Sequence, residues 1–128
     1  MRPLGIGFIG SGFNARFHMQ AFQAVRDSEI RGVWSPNQKN AEAAAAYARH
    51  LDIGPCRPYR SIGEMAVDPM IDAIWLCGPN QARVENVEEL ADPIMRGHAE
   101  LVGIACEKPL ARNVAEARTV RSLVGRAG

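Results

Sequence analysis

An apolar run that ends in a glycine turn opens the chain and restricts the folds that can follow. The run Leu4–Ile9 is typical of a strand buried on both faces of a sheet. After it, Gly10 permits a tight turn, Gly12 lets the backbone approach an anion, and Ala15 allows close contact between helix and strand. The N–H groups at the start of the next helix would face that anion. The turn therefore predicts a dinucleotide site whose pyrophosphate is held by Gly10, Ser11, Gly12, Phe13 and Asn14.

The same glycine pattern has a second register, at Gly5, Gly7 and Gly10. That register places its glycines inside the apolar run, where no helix N-terminus can meet a phosphate. We therefore interpret Gly10–Ala15 as the functional turn. The alternative is a glycine turn that only lets a helix pack tightly against the sheet.

Length and charge exclude several classes of protein. At 128 residues the chain is long enough for one domain. A formal net charge of +1 gives no basic patch for a nucleic acid or a membrane surface. No apolar run approaches the roughly 20 residues of a membrane span. Three cysteines without a C-x-x-C pair predict neither a disulfide framework nor a metal site, but reduced thiols in a cytoplasmic protein.

Strand and helix patterns alternate along the chain, which is typical of a parallel sheet with helices on both faces. The predicted strands lie at about residues 3–9, 30–34, 57–59, 71–77 and 101–106. Helices are predicted at 14–26, from Pro36 to about 51, from 61 to 68, after Asn80 and from Asn113. The predicted fold is a single-domain α/β, doubly wound parallel sheet of the Rossmann type, with five strands in the order 3-2-1-4-5.

Apolar spacing also predicts which helix faces turn inward. The predicted inner face of the first helix consists of Phe17, Ala21, Ala24 and Val25. The predicted inner stripe of the last helix consists of Val114, Ala117, Val120 and Val124. Pro93 either kinks the fourth helix or, with Asp92, starts a separate turn.

Four polar or glycine-rich segments follow predicted strands. Ligands of open α/β sheets bind outside the carboxyl ends of the strands, so these segments are expected to share one edge. Besides the glycine turn, the candidate cofactor-contacting residues are Ser35, Asn37, Lys39, Cys77, Gly78, Pro79, Asn80, Glu107 and Lys108.

The end of the second strand predicts which dinucleotide is bound. An acid there would bond the ribose of NAD and repel a 2′-phosphate. This chain has Ser35 instead, with no acid between Trp34 and Asn40 and with Lys39 one helical turn on. A hydroxyl, a helix N-terminus and a lysine together favour a phosphate, which predicts NADP(H) over NAD(H). The alternative for Ser35 is a helix N-cap in a capping box with Gln38.

Lys108 is the candidate catalytic residue. It follows the fifth strand between Glu107 and Pro109, at the rim of the predicted crevice. A partly desolvated lysine beside a cofactor can act as a general acid or base. The alternative is a surface lysine in a turn. For His18 we favour a packing or capping role, and for Cys77 and Cys106 that of small hydrophobic residues.

Three segments resemble the nucleotide-binding domain of Gfo/Idh/MocA-type oxidoreductases, over essentially the whole chain. They are Gly10–Ala15 with His18 downstream, Asp72–Asn80, and Cys106–Leu110 with Asn113–Ala117. The resemblance implies a dehydrogenase that transfers a hydride between NAD(P) and a sugar, polyol or related hydroxyl compound. It also implies that Lys108 holds or protonates the substrate oxygen, that Gly78–Asn80 line the cofactor, and that Ser35 is similar to the NADP-binding members.

The chain also departs from the pattern of this family. Arg83 occupies a position where the family commonly has histidine, and the stretch 91–101 is longer than usual. Family members continue into a substrate domain that usually makes the oligomer, whereas this sequence stops at Gly128. We therefore expect 1–128 to bind dinucleotide with little turnover, and to expose an apolar face compatible with a homo-oligomer. A non-catalytic dinucleotide-binding or redox-sensing module stays an alternative, whereas Ser35 argues against a methyltransferase.

Overall fold

A five-stranded parallel sheet forms the centre of the molecule in the computed structural model, which describes residues 1–128. The strands are β1 (Leu4–Ile9), β2 (Ser28–Trp34), β3 (Arg57–Pro58), β4 (Ala73–Leu76) and β5 (Gly103–Cys106). Their spatial order is β3-β2-β1-β4-β5, which confirms the predicted fold class and strand order. The order reverses between β1 and β4, and a ligand of such a sheet binds above that point.

Helices cover both faces of the sheet. They are α1 (Phe13–Ala21), α2 (Gln38–His50), α3 (Ile62–Ala66), α4 (Arg83–Met95) and α5 (Val114–Ala127), with short 3₁₀ turns at Phe22–Ala24 and Asn80–Ala82. One apolar cluster joins the sheet to α1 and α2, and a second joins its other face to α3, α4 and α5. The structure places Pro93 buried inside α4, which continues to Met95 without a separate turn.

The predicted inner face of α1 is wrong. Ala15 and Met19 are the buried residues of this helix, whereas Phe17 is 58% exposed. The helix ends at Ala21, so Val25 lies beyond the 3₁₀ turn and is also exposed. The physical reason is that Ala15 packs in the apolar cluster on this face of the sheet, and the residue four positions on then faces inward with it.

The buried face of the last helix, α5, differs less from its prediction than that of α1 does. Val120 and Leu123 are buried, while Val114 and Val124 are exposed. The capping residues of α3 and α5 agree with the sequence patterns, because Ser61 accepts from the N–H of Glu64 and Asn113 accepts from that of Glu116.

One part of the sheet has no helix over it. On the α1 side, Gly103 and Ala105 of β5 are exposed, and Ala73 and Trp75 of β4 are half-buried. We call these four residues the open sheet face. None of the helices has the length and apolar character needed to cross a membrane.

Candidate functional site

The glycine turn lies directly against the loop that follows β4. Gly10 has a φ of +113°, and a Cβ there would stand 2.8 Å from the backbone nitrogen of Gly78. Gly10 also donates its N–H to the carbonyl of Trp34 at 2.8 Å. The segments after β1 and β4 therefore meet at the point where the strand order reverses.

Unpaired backbone amides stand above this turn. Gly12 is the extended N-cap of α1 and supplies no side chain as a cap. The first helical N–H with an acceptor is that of Arg16, which donates to the carbonyl of Gly12 at 3.1 Å. The amides of Phe13, Asn14 and Ala15 therefore lack protein acceptors, and a helix start of this kind attracts anions. A Cβ on Gly12 would meet nothing within 4 Å, so the space in front of these amides is open.

Ser35 does not cap α2, which corrects one of its two predicted roles. The N-cap is Asn37, whose Oδ1 accepts from the N–H groups of Lys39 and Asn40 at 3.0 and 3.4 Å. Ser35 is buried, and its hydroxyl lies 3.0 Å from that of Ser11 in the glycine turn. Because Asn37 is closer to the helix than Ser35, its carboxamide reaches the free amides first.

Arg83 is the largest fully buried side chain of the molecule and lies beneath the loop after β4. Its guanidinium donates to the carbonyl of Leu76 at 3.0 Å and to that of Gly78 at 3.2 Å. Its Nε is buried without a partner. In the sequence, Arg83 stands out only as a departure from a family pattern, because the local sequence does not indicate that this arginine is buried.

Glu107 and Lys108 follow β5 and point to different surroundings. A Glu107 carboxylate oxygen lies 2.7 Å from Nε2 of His18 on α1. The His18 ring also packs 4.2 Å from the ring of Trp75, so the histidine joins α1 to the ends of β4 and β5. Lys108 is exposed and forms no salt bridge or hydrogen bond within the chain. The pair of His18 and Glu107 was not predictable from the sequence, since 89 positions separate the two residues.

The cysteines beside the site are half-buried and neutral. Burial raises the pKa of the Cys77 thiol to about 12, with Glu107 acting in the same direction and Arg83 against it. Burial also raises the pKa of Cys106. A thiol reacts as its thiolate, so both behave as inert small residues at neutral pH. No three His, Cys, Asp or Glu side chains lie close enough together to hold a metal ion.

The structure brings most of the candidate residues to one edge. The turn 10–14, the loop 77–80 and residues 107–108 lie together at the carboxyl ends of β1, β4 and β5, and Ser35 touches this group through Ser11. Lys39 stands apart, exposed in the first turn of α2. The largest cavity, about 710 Å³, lies at the opposite end of the sheet between residues 66–72 and 97–102. That end faces away from the free amides, so we assign the site by its donors and not by cavity size.

Comparison with known proteins gives one family for the chain. The model of the oxidoreductase family GFO_IDH_MocA, with its NAD-binding Rossmann fold, matches residues 4–128. A curated relative, glucose-6-phosphate 3-dehydrogenase of Bacillus subtilis, is 27% identical over 124 residues, covering 94% of this chain and 30% of the relative. The chain therefore spans about a third of the length of such relatives.

Solved structures share the fold. Myo-inositol dehydrogenase from Lactobacillus casei, in complex with NAD(H) and myo-inositol, has a TM-score of 0.76 and 24% identity, covering 94% of this chain and 33% of that one. Biliverdin reductase from Synechocystis, in complex with biliverdin and NADP+, has a TM-score of 0.69 and 23% identity, covering 98% of this chain and 36% of that one. Proteins of this fold thus hold either dinucleotide.

Proposed function

Because this chain belongs to the Gfo/Idh/MocA family of oxidoreductases, as its NAD(P)-binding domain, we propose that it holds the dinucleotide pyrophosphate over the N-terminus of α1. The free amides of Phe13, Asn14 and Ala15 carry this proposal, since nothing in the chain competes for them. The open space in front of Gly12 supports it, because a phosphate needs the room that a side chain there would take.

The two ends of the dinucleotide are expected on opposite sides of the glycine turn. The adenosine half lies toward the end of β2, where Ser35, Asn37 and Lys39 stand. The nicotinamide half lies toward the ends of β4 and β5, beside Cys77–Asn80 and Glu107. Gly10 supports this path, since its lack of a side chain keeps the loop after β4 close to the turn.

In the reaction, the bound nicotinamide supplies or accepts a hydride at a substrate carbon. Lys108 is free to approach the substrate because its ammonium group has no partner within the chain. We infer that Lys108 holds the substrate oxygen. It would accept the hydroxyl proton when the substrate is oxidised and return a proton to the oxygen when the substrate is reduced. Glu107, fixed by His18, positions the backbone from which Lys108 extends.

The proposed substrate is a sugar, a polyol or a related compound whose hydroxyl carbon is oxidised. The substrates in the names of the glucose-6-phosphate and myo-inositol dehydrogenases support this class. Those proteins are about three times as long as this chain. We therefore propose that residues 1–128 bind dinucleotide with little or no turnover by themselves.

The proposed cofactor is NADP(H) in preference to NAD(H). No carboxylate directly follows β2 to repel a 2′-phosphate, and the next acid along the chain, Glu42, lies on the exposed side of α2. The amides of α2 do not support the preference, since Asn37 already occupies two of them. The preference therefore depends on the missing acid and on Lys39.

Binding of the dinucleotide is tested with Gly12→Ala. Gly12 has a φ of −78°, which alanine adopts freely, and its Cβ would touch nothing. We expect the free energy of unfolding to change by less than about 0.5 kcal/mol. The affinity for the dinucleotide should fall about tenfold or more, since the methyl group occupies the approach to the pyrophosphate.

The measurement is a calorimetric titration of the wild type and the variant with NADP(H) and with NAD(H). Gly125→Ala, at an open position of α5 far from the turn, serves as the control and should bind as the wild type does. Equal affinities in the wild type and Gly12→Ala would show that the pyrophosphate does not bind at this turn. Tighter NAD(H) binding by the wild type would overturn the preference alone.

A further inference from the structure

The guanidinium of Arg83 is a permanent charge held inside the protein. The residue is 2% exposed, and arginine stays protonated at any pH at which the fold exists. A buried charge is costly unless it is paired, yet no carboxylate lies within salt-bridge distance of it. Its guanidinium donates to the carbonyl oxygens of Leu76 and Gly78 and also contacts the thiol of Cys106, while its Nε has no partner.

The charge of Arg83 affects neighbouring ionisable side chains of the site. Burial raises the pKa of the Cys77 and Cys106 thiols, and Arg83 opposes that rise at both. The carboxylate of Glu107 raises the pKa further, and its effect exceeds that of Arg83 at Cys77 but not at Cys106. The other charges at this edge are Glu107, which is bonded to His18, and the exposed Lys108. Bulk water screens Lys108 more strongly than it screens the buried Arg83. Arg83 is therefore the buried permanent charge beneath the loop, and Glu107 opposes it on the side of Cys77.

Arg83 also lies on one particular side of the glycine turn. Its two carbonyl partners belong to the end of β4 and the loop after it, across the turn from β2. If the adenosine half lies toward β2, the nicotinamide half lies on the side of Arg83. This placement uses the proposed function of the turn, and the inference below rests on it.

We propose that the charge of Arg83 favours binding of the reduced form of the dinucleotide over binding of the oxidised form. The oxidised nicotinamide ring carries a positive charge, and the reduced ring carries none. A fixed positive charge nearby raises the free energy of the oxidised complex and leaves the reduced complex almost unchanged. Arg83 is thus a positioning residue for the loop after β4, and its charge also shifts the relative affinity of the site toward the reduced form.

The test compares two dissociation constants, for the oxidised and for the reduced dinucleotide, and takes their ratio. Arg83→Met removes the charge and both hydrogen bonds, whereas Arg83→Lys retains the charge. We expect the ratio of oxidised to reduced dissociation constants to fall about threefold or more in Arg83→Met and to change less than about twofold in Arg83→Lys. Arg83→Gln is the second uncharged variant, because its amide can still donate to one carbonyl if the methionine variant fails to fold.

A purely structural role for Arg83 predicts a different result. Loss of loop geometry would weaken the binding of both forms by the same factor and leave the ratio unchanged, which would overturn the inference. An equal fall of the ratio in Arg83→Lys and Arg83→Gln would also overturn it, since charge would then not be the cause. If the wild type binds neither form, the proposed function itself fails, and this inference fails with it.

Discussion

Gly10 and Gly12 differ in why the proposed site has glycine at each position. Gly10 requires the absence of a side chain because of its positive φ and the nearby nitrogen of Gly78. Gly12 has ordinary dihedral angles and open space, so nothing in the fold requires glycine there. We expect a requirement for glycine at position 12 only if the proposed pyrophosphate approaches the turn there.

At the same residue scale, Lys39 is the only cation of the first turn of α2. If it contacts the 2′-phosphate of NADP(H), Lys39→Ala should weaken NADP(H) binding about fivefold and leave NAD(H) binding unchanged. Lys39→Arg is the control, because it retains a cation at this position. The measurement is the pair of dissociation constants for each variant. Equal losses for both dinucleotides would show that Lys39 does not read the phosphate.

At the scale of the element, α2 begins two residues later than its capping pattern suggests. Asn37→Ala should lower the free energy of unfolding by about 1 kcal/mol, because the N–H of Lys39 loses its acceptor. The N–H of Asn40 loses the side-chain oxygen but retains the backbone carbonyl of residue 37. Chemical denaturation without dinucleotide measures this. Asn37→Asp should retain most of the stability, and Gln38→Ala, at a neighbouring exposed position, should cost little. If Gln38→Ala lowered the free energy of unfolding as much as Asn37→Ala does, the N-cap role of Asn37 would be wrong.

The elements were predictable from sequence where local chemistry decides them. Apolar runs predict β1, β2, β4 and β5, whereas β3 was predicted as a short strand after the helix break at Gly54-Pro55. The Ser61 and Asn113 caps form as their spacing predicts. The face of α1 was not predictable from periodicity, since Phe17 belongs to an apolar stripe that the sheet does not cover. Packing of Ala15 and Met19 into the apolar cluster against the sheet determines that face.

The candidate site shows the same division between local and long-range causes. The segments at the carboxyl ends of the strands follow from strand order alone, and they could be assembled from the sequence. The bond between Ser11 and Ser35, the pair of His18 and Glu107, and the burial of Arg83 depend on contacts between distant segments. No local pattern encodes such contacts.

For the whole molecule, the open sheet face and the exposed aromatic residues of α1 present apolar surface on the same side of the sheet. Phe13 is 82% exposed and stacks on the exposed Phe17, and β5 forms an unpaired edge without a charged residue. Exposed apolar surface next to a free strand edge favours association. We propose that two copies of this chain associate through this surface.

Sedimentation velocity over a range of concentrations tests this proposal. The wild type should sediment faster as its concentration rises, because association buries the apolar surface. Ala105→Lys places a charge on the open sheet face and should yield a monomer. Ala46→Lys, on the exposed side of α2, should associate as the wild type does. A concentration-independent monomer for the wild type would contradict the proposal.

The beginning of the chain is fixed to the sheet far from the glycine turn. Arg2 donates to both carboxylate oxygens of Asp72 at 2.7 and 2.8 Å, and the N–H of Gly5 donates to the same carboxylate at 2.7 Å. Met1 therefore leaves the molecule where β1 begins, while the turn stands where β1 ends. Tethering the protein to a sensor chip through its first residue will orient the turn toward the flowing solution. That attachment makes surface-based measurement of dinucleotide capture practical.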